Sequence, residues 1–152
     1  MNEKIDIDIV EIDVHHPLYN EECQLRFDLV RLPLGITHKD AEKFGFEKNS
    51  LHWVALSQNK VVGCVLLYPC EPTSGKLFQL AVTGRVQSFG VGRALVRHLE
   101  ERATVLGIQT IKMHARLAVI DFYRKLQYEA YGPIFAEVGI PHRRMMKELT
   151  HD

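Results

Sequence analysis

Gln87-Ser88-Phe89-Gly90-Val91-Gly92-Arg93-Ala94-Leu95 follows the apolar run Leu77-Phe78-Gln79-Leu80-Ala81-Val82 and opens an amphipathic segment that ends at Gly107. A strand that passes through a glycine-spaced turn into a helix N-terminus is a receptor for a diphosphate. The first N–H groups of the helix have no intrahelical partner and point outward, and the helix dipole adds partial positive charge there. Two glycines let a bulky anion approach the backbone without meeting a Cβ.

Two common phosphate loops are excluded by spacing. A P-loop needs Gly-x-x-x-x-Gly-Lys-Ser/Thr, and no Lys-Ser or Lys-Thr pair follows a glycine here. A dinucleotide fingerprint needs three spaced glycines and an acid roughly 20 residues later. Gly84, Gly90 and Gly92 lack that spacing, and Thr110 to Lys112 offers no acid. The remaining pattern, Gln-x-x-Gly-x-Gly after an apolar strand, resembles the acetyl-CoA loop of the GNAT N-acetyltransferases. A second stretch carries the same resemblance independently: Ala118-Val119-Ile120-Asp121-Phe122-Tyr123-Arg124-Lys125-Leu126-Gln127-Tyr128 is similar to that family's Phe-Tyr segment, a short helix running into a strand.

The resemblance implies one domain over residues 1–152 with the acyl-CoA N-acyltransferase fold. That is an α+β architecture, an α/β/α sandwich in which helices flank a mixed, mostly antiparallel sheet. It implies an enzyme that moves the acetyl group of acetyl-CoA to a primary amine by direct transfer in a ternary complex. The backbone of Leu80, Ala81 and Val82 would pair with the pantetheine arm, and the amides of Gln87, Ser88, Phe89, Gly90, Val91, Gly92 and Arg93 would take the pyrophosphate. Arg85 and Arg93 could add charge.

The resemblance implies Tyr123 as general acid, since the tyrosine of the family's Phe-Tyr pair commonly lies near the thioester sulfur; a phenol with a pKa of about 10 keeps its proton at neutral pH and can give it to a leaving thiolate. The general base stays open. Many relatives place a glutamate on the strand before the glycine loop, where this chain has Gln79. His114, on the neighbouring strand, and His142 are the alternatives, each an imidazole suited to proton transfer near neutrality. His142 belongs to Glu137-Val138-Gly139-Ile140-Pro141-His142-Arg143-Arg144-Met145, which resembles the ending of ElaA-like bacterial proteins.

Three departures from the family pattern accompany these matches. Arg116 stands seven residues before the tyrosine, where many relatives carry a cofactor-contacting asparagine, and an arginine there could reach a phosphate. Gln127-Tyr128 replaces Gly-Phe after the helix, implying a different cap. The strand glutamate is the third. A non-catalytic acetyl-CoA-binding sensor or interaction module is therefore the alternative reading, and a mononucleotide-binding α/β protein a more distant one.

Composition narrows the classes further. The 152 residues are 46% hydrophobic, enough for one ordinary core, and 19 basic residues balance 19 acidic ones. That balance speaks against nucleic acid or an anionic membrane as partner. With no long apolar run and no signal-like start, a cytoplasmic, soluble protein is expected, monomeric or homodimeric, acting on a small-molecule or peptide amine. Cys23, Cys64 and Cys70 lack metal-type pairing with histidines, so reduced, mostly buried thiols and no metal are expected.

Periodicity predicts the elements. Ile5, Ile7 and Ile9 alternate as an opening strand, and residues 17–32 have helical spacing ending near Pro33 and Gly35. A short helix between Thr37 and Gly45 is expected next. Strands at 51–57 and 61–68 would form a hairpin, the second arm apolar on both faces. Val91, Ala94, Leu95, Leu99, Ala103 and Leu106 recur at helical spacing in the segment after the glycine loop, which Gly107 would cap. Ile111, Met113 and Ala115 alternate as a strand. Two last strands, near 127–131 and 142–149, would flank a glycine- and proline-bearing loop. The charged residues Glu21, Glu22, Arg26, Asp28, Arg31, His38 and His52 are read mainly as a solvated face and none is assigned to substrate.

Overall fold

The computed structural model describes residues 6–31, 33 and 47–149. Strand β1 (Asp8–Ile12) leads into helix α1 (Tyr19–Arg26), which continues as one wide π-helical turn, Phe27–Arg31. A 3₁₀ turn at Glu47–Asn49 precedes β2 (Leu51–Ser57), β3 (Lys60–Glu71) and β4 (Ser74–Val82). A second 3₁₀ turn, Gly84–Phe89, feeds α2 (Val91–Val105). Then come β5 (Thr110–Arg116), α3 (Ile120–Lys125), β6 (Glu129–Glu137) and β7 (Ile140–Glu148). The seven strands of the described residues form one sheet in the order β1-β2-β3-β4-β5-β7-β6. Only the β4–β5 pair is parallel. The expected mixed, mostly antiparallel sheet flanked by helices is what forms.

The sheet is covered on both faces because its central strands are apolar on both. Val61 to Leu67 of β3 are all buried, so α2 packs on one face and α1 on the other. Leu95, Val96, Leu99 and Ala103 of α2 join Trp53, Val62, Val65, Leu77, Ile111 and Met113 in the larger core. Leu25 of α1 joins Val54, Val61, Cys64 and Ala81 in the smaller one. Each fully buried leucine in such a layer is worth about 2–5 kcal/mol against truncation to alanine.

Turn chemistry sets the connections. Gln58 and Asn59 both take positive φ, 51° and 65°, which is the two-residue turn whose twist suits a hairpin. Gly107, at φ +82°, ends α2 as its left-handed cap. At the end of α3 Gln127 itself adopts φ 76°. The missing glycine is thus replaced by a glutamine held in the left-handed region, a conformation that disfavours a Cβ-bearing residue.

Four expectations need correction or fall elsewhere. The opening strand runs from Asp8 to Ile12, paired with Leu56 back to His52 of β2, so Ile7 precedes it, and Ile5 lies outside the described residues. The last two strands are longer than expected and join through Val138-Gly139 alone. The glycine and proline at 132–133 form a bulge inside β6, where the register jumps between Tyr131 and Phe135. Cys23 and Cys64 are buried as expected, but Cys70 is exposed near the end of β3. The short helix expected between Thr37 and Gly45 lies outside the described residues.

Candidate active site

The parallel pair is the structural origin of the site. β4 and β5 pair only at Ser74–Lys76 against Thr110–Lys112. Beyond that point β4 continues to Val82 and β5 to Arg116 with no mutual pairing, so the sheet opens into a V. A bulge drives the parting. On the β3 side Leu66 faces Phe78 but Cys64 faces Ala81, and Gln79 takes φ 55° to absorb the extra residue. The cleft between the two strands has a volume of about 590 Å³ and is lined by β4 from Lys76 to Val82, β5 from Met113 to Arg116, and Leu29, Val30, Gln87, Tyr123, Glu137 and His142.

The glycine loop stands at the far end of β4. Gly90 adopts φ 76° and caps α2, with nothing within 4 Å of where a Cβ would be. A Cβ on Gly92 would meet Phe122 Cζ at 3.2 Å, so this glycine lets α2 and the Phe-Tyr helix approach each other. Gln87 Nε2 donates to the Val82 carbonyl at 3.0 Å and ties the loop back to its strand. Val91 is buried and turns its side chain into the core, while Phe89 and Arg93 are exposed. Leu80, Ala81 and Val82 form the β4 wall, and Arg116 ends the β5 wall.

Tyr123 is held by aromatic packing. Its ring meets Phe122 and Tyr128 edge-on at 5.1 and 5.8 Å, and only 6% of the residue is exposed. Tyr128 is anchored in turn: its hydroxyl donates to Glu100 Oε2 at 2.8 Å, and Lys147 Nζ lies 3.1 Å from the same carboxylate. Burial raises the Tyr123 pKa well above the ordinary phenol value. Its hydroxyl therefore keeps its proton throughout the neutral range, and it has no hydrogen-bond partner among the described residues.

Both candidate histidines line the same cleft, and a carboxylate lies between them. His114 Nδ1 is 2.9 Å from Glu137 Oε1, and His142 Nε2 is 3.6 Å from Glu137 Oε2. His142 Nδ1 sits 2.7 Å from the Ile140 carbonyl. Phe135 holds the two rings, edge-on to His114 at 5.0 Å and stacked with His142 at 5.9 Å, with the Arg144 guanidinium 4.8 Å over its own ring. Sequence reasoning did not single out Glu137. The two-residue turn at Val138-Gly139 brings it back beside His142, and its register with Ile140 was invisible without that turn.

A second ionic cluster was also missed, and it lies in the other half of the sheet. Glu22, Arg26 and His52 are completely buried and Glu47 nearly so, so this part of the expected solvated face is interior. Arg26 Nη2 contacts Glu47 Oε1 at 2.6 Å and Glu22 Oε2 at 3.4 Å. The Tyr19 hydroxyl donates to Glu47 Oε1 at 2.6 Å. His52 Nδ1 lies 3.1 and 3.0 Å from the two Glu22 oxygens, and its Nε2 donates to the Glu47 carbonyl at 2.9 Å. Burial alone would oppose a charge on His52, but its hydrogen bond to Glu22 and that carboxylate's field outweigh it and raise the pKa. The Arg26 guanidinium and an imidazole of raised pKa thus face the carboxyl groups of Glu22 and Glu47. Ligand-type atoms of Glu22, Cys23 and Glu47 lie within 4.8 Å of one another, but the Arg26 guanidinium, also 3.3 Å from Cys23 Sγ, already supplies the positive charge there.

The geometry defines a class: a sheet split at one parallel pair, a glycine loop at its mouth and a tyrosine helix across it. The chain belongs to the GNAT acetyltransferase family, since the "Acetyltransferase (GNAT) domain" matches residues 35–149. The Bacillus subtilis (strain 168) protein YyaT is 32% identical over 79 residues, which are 52% of this chain and 53% of YyaT. The chain therefore spans about half the length of that relative. Among solved structures, Escherichia coli ElaA superposes with a TM-score of 0.81 at 15% identity, covering 94% of this chain and 100% of ElaA. An aminoglycoside 6′-N-acetyltransferase complexed with coenzyme A gives 0.78 at 20% identity, covering 95% and 98%. These two likenesses carry the fold. No helix among the described residues is long and apolar enough to cross a membrane.

Proposed function

We propose that the protein is an acetyl-CoA-dependent N-acetyltransferase that moves the acetyl group directly to a primary amine while both substrates are bound. The observation that carries this reading is the parting of β4 from β5 directly below the glycine loop, with Tyr123 in the wall. Among the described residues no strand pairs with the β5-facing edge of β4 beyond Lys76, which leaves room there for an extended amide-bearing arm to run alongside Leu80 and Ala81. Gln79 Oε1, in the cleft wall, and Thr83 Oγ1, just beyond β4, are buried without a hydrogen-bond partner. Buried polar atoms are nearly always satisfied, and a pantetheine arm carries amides that suit them. The Gly90–Arg93 backbone at the start of α2 suits the pyrophosphate. The residues present therefore fit coenzyme A.

In this reading Leu80, Ala81 and Val82 align the thioester, a cleft base removes the amine's proton, and Tyr123 gives its own to the departing sulfur. Arg116, at the open end of β5, would meet a phosphate or the acceptor. Gln79 in place of a strand glutamate keeps a second reading alive, a module that binds acetyl-CoA without turning it over. A thermal-shift series separates the possibilities. Acetyl-CoA at about 100 times its Kd should add about 2.7 kcal/mol of stability, whereas NAD and ATP should add none. A shift with NAD and none with acetyl-CoA would remove the reading. Thiol release from acetyl-CoA in the presence of primary amines then distinguishes enzyme from module.

A further inference from the structure

We propose that His114 and Glu137 act as one proton-accepting unit, with His114 the catalytic base and Glu137 its positioning residue. The inference rests on the acetyltransferase reading but is decided by atoms that reading does not use. Glu137 as a carboxylate can only accept a hydrogen bond, so the 2.9 Å contact to Oε1 requires His114 Nδ1 to carry the proton. That leaves the lone pair of neutral His114 on Nε2. The His114 side chain is 32% exposed and lines the cleft that Tyr123 also lines. A carboxylate that fixes the tautomer of an imidazole and stabilises the imidazolium is the arrangement of a base with its orienting acid.

His142 is placed differently. The Ile140 carbonyl only accepts, so His142 Nδ1 also carries a proton, and its Nε2 faces Glu137 Oε2 at 3.6 Å. With 5% exposure and a stack on Phe135, it closes one side of the Glu137 carboxylate rather than presenting a free nitrogen. Other charged groups surround the unit. Lys112 and Arg116 share the His114 face of β5 by strand alternation, and Arg144 of β7 is in register with His114. Lys76 lies on the β4 wall and Tyr123 across the cleft. Glu137 is the only carboxylate among the described residues of the cleft lining.

The proton transfers balance. His114 Nε2 takes one proton from the amine as its nitrogen bonds to the thioester carbonyl carbon. The C–S bond breaks, its electron pair leaves on sulfur, and the Tyr123 hydroxyl protonates that sulfur. The phenolate recovers a proton from the His114 imidazolium through solvent in the cleft, giving amide and free thiol with no net proton change.

The test is the tautomer of His114, read from long-range 1H–15N correlations at pH 8.5 and assigned with a His114→Gln variant. The expected result in the wild-type protein is a proton on Nδ1, moving substantially to Nε2 in Glu137→Ala, and retained on Nδ1 to a greater degree in Glu137→Gln. In parallel, thiol release from acetyl-CoA with tyramine, putrescine and benzylamine should show His114→Gln and Glu137→Ala lowering kcat by about 10²-fold. KM for acetyl-CoA should stay within twofold, and Glu137→Gln should recover part of the loss. An Nε2–H tautomer in the wild-type protein, or wild-type kcat in Glu137→Ala, overturns the unit. Failure of the wild-type protein to bind acetyl-CoA would instead overturn the acetyltransferase reading, and the tautomer would still decide the pairing.

Discussion

Two histidines of this protein each lie against a glutamate, and they could hardly be used more differently. His52 is completely buried, and both its ring nitrogens are engaged, one by Glu22 and one by the Glu47 carbonyl. His114 is partly open to the cleft, and Glu137 engages one nitrogen only. The buried cluster ties α1 and the 3₁₀ turn before β2 into the sheet and has no vacant atom to offer a ligand from His52. The cleft cluster keeps an imidazole lone pair facing space. Residue type alone does not distinguish these two imidazoles; the engagement of both ring nitrogens in one and of a single nitrogen in the other does.

Substitution in the buried cluster should change the protein most. Arg26→Met removes the guanidinium that both Glu22 and Glu47 face and leaves the two buried carboxylates without it. Breaking a buried ion pair by deleting one partner costs about 3–5 kcal/mol, and the urea midpoint should fall accordingly. A loss below about 1 kcal/mol would mean that water reaches the carboxylates and the cluster is not structural.

Tyr123→Phe should act in the opposite sense, on rate and not on fold. Its hydroxyl has no partner among the described residues to lose, so unfolding should change by only about 0.5 kcal/mol. Removing the proton donor should lower kcat by about 10²-fold while acetyl-CoA affinity is nearly kept. Unchanged turnover would take Tyr123 out of the mechanism.

A smaller effect is expected at the loop. Gly90 sits at φ +76° with open space around it, so Gly90→Ala meets no clash but pays the left-handed backbone cost, about 1–2 kcal/mol. Acetyl-CoA affinity measured by calorimetry should fall with it, because the strained alanine pulls the first N–H groups of α2 out of line. Equal affinity would place the pyrophosphate elsewhere.

The smallest effect is the pH dependence of the buried cluster. The folded-state pKa of His52 is raised, burial opposing and Glu22 prevailing. The stability it contributes is therefore fully present below its unfolded value, about 6.5, and is lost as pH rises through the folded value. Urea midpoints followed upward from pH 6 should decline over that window in the wild-type protein, and His52→Gln should flatten the decline. An equal decline in both would assign it to other groups.

The segments proposed to hold acetyl-CoA were legible in the sequence. Gln87 to Gly92 and Ile120 to Lys125 are local signals, each complete within a few residues, and the structure sets both beside the cleft. His114 and His142 were named from the sequence, but their joining through Glu137 was not legible, for a physical reason. His114 and Glu137 are 23 residues apart and meet only because a Val138-Gly139 turn returns β7 alongside β5. Arg26 and Glu47 are 21 residues apart, and Glu22 and His52 are 30. A charged residue on a helix is ordinarily solvated; only the packing of α1 on β3 made Glu22 and Arg26 interior. The bulge at Gln79 was hidden likewise, since nothing in an apolar run announces a left-handed glutamine.

Titration of isotope-labelled protein with acetyl-CoA, followed by amide 1H–15N spectra, locates the cofactor on the chain. Acetyl-CoA binding in the β4–β5 cleft predicts saturable one-to-one shifts at residues 77–82, at 87–93 and at the open end of β5, with the amides of Glu22, Arg26, Glu47 and His52 unmoved. Shifts centred on the buried cluster, or no saturable shifts at all, would contradict it.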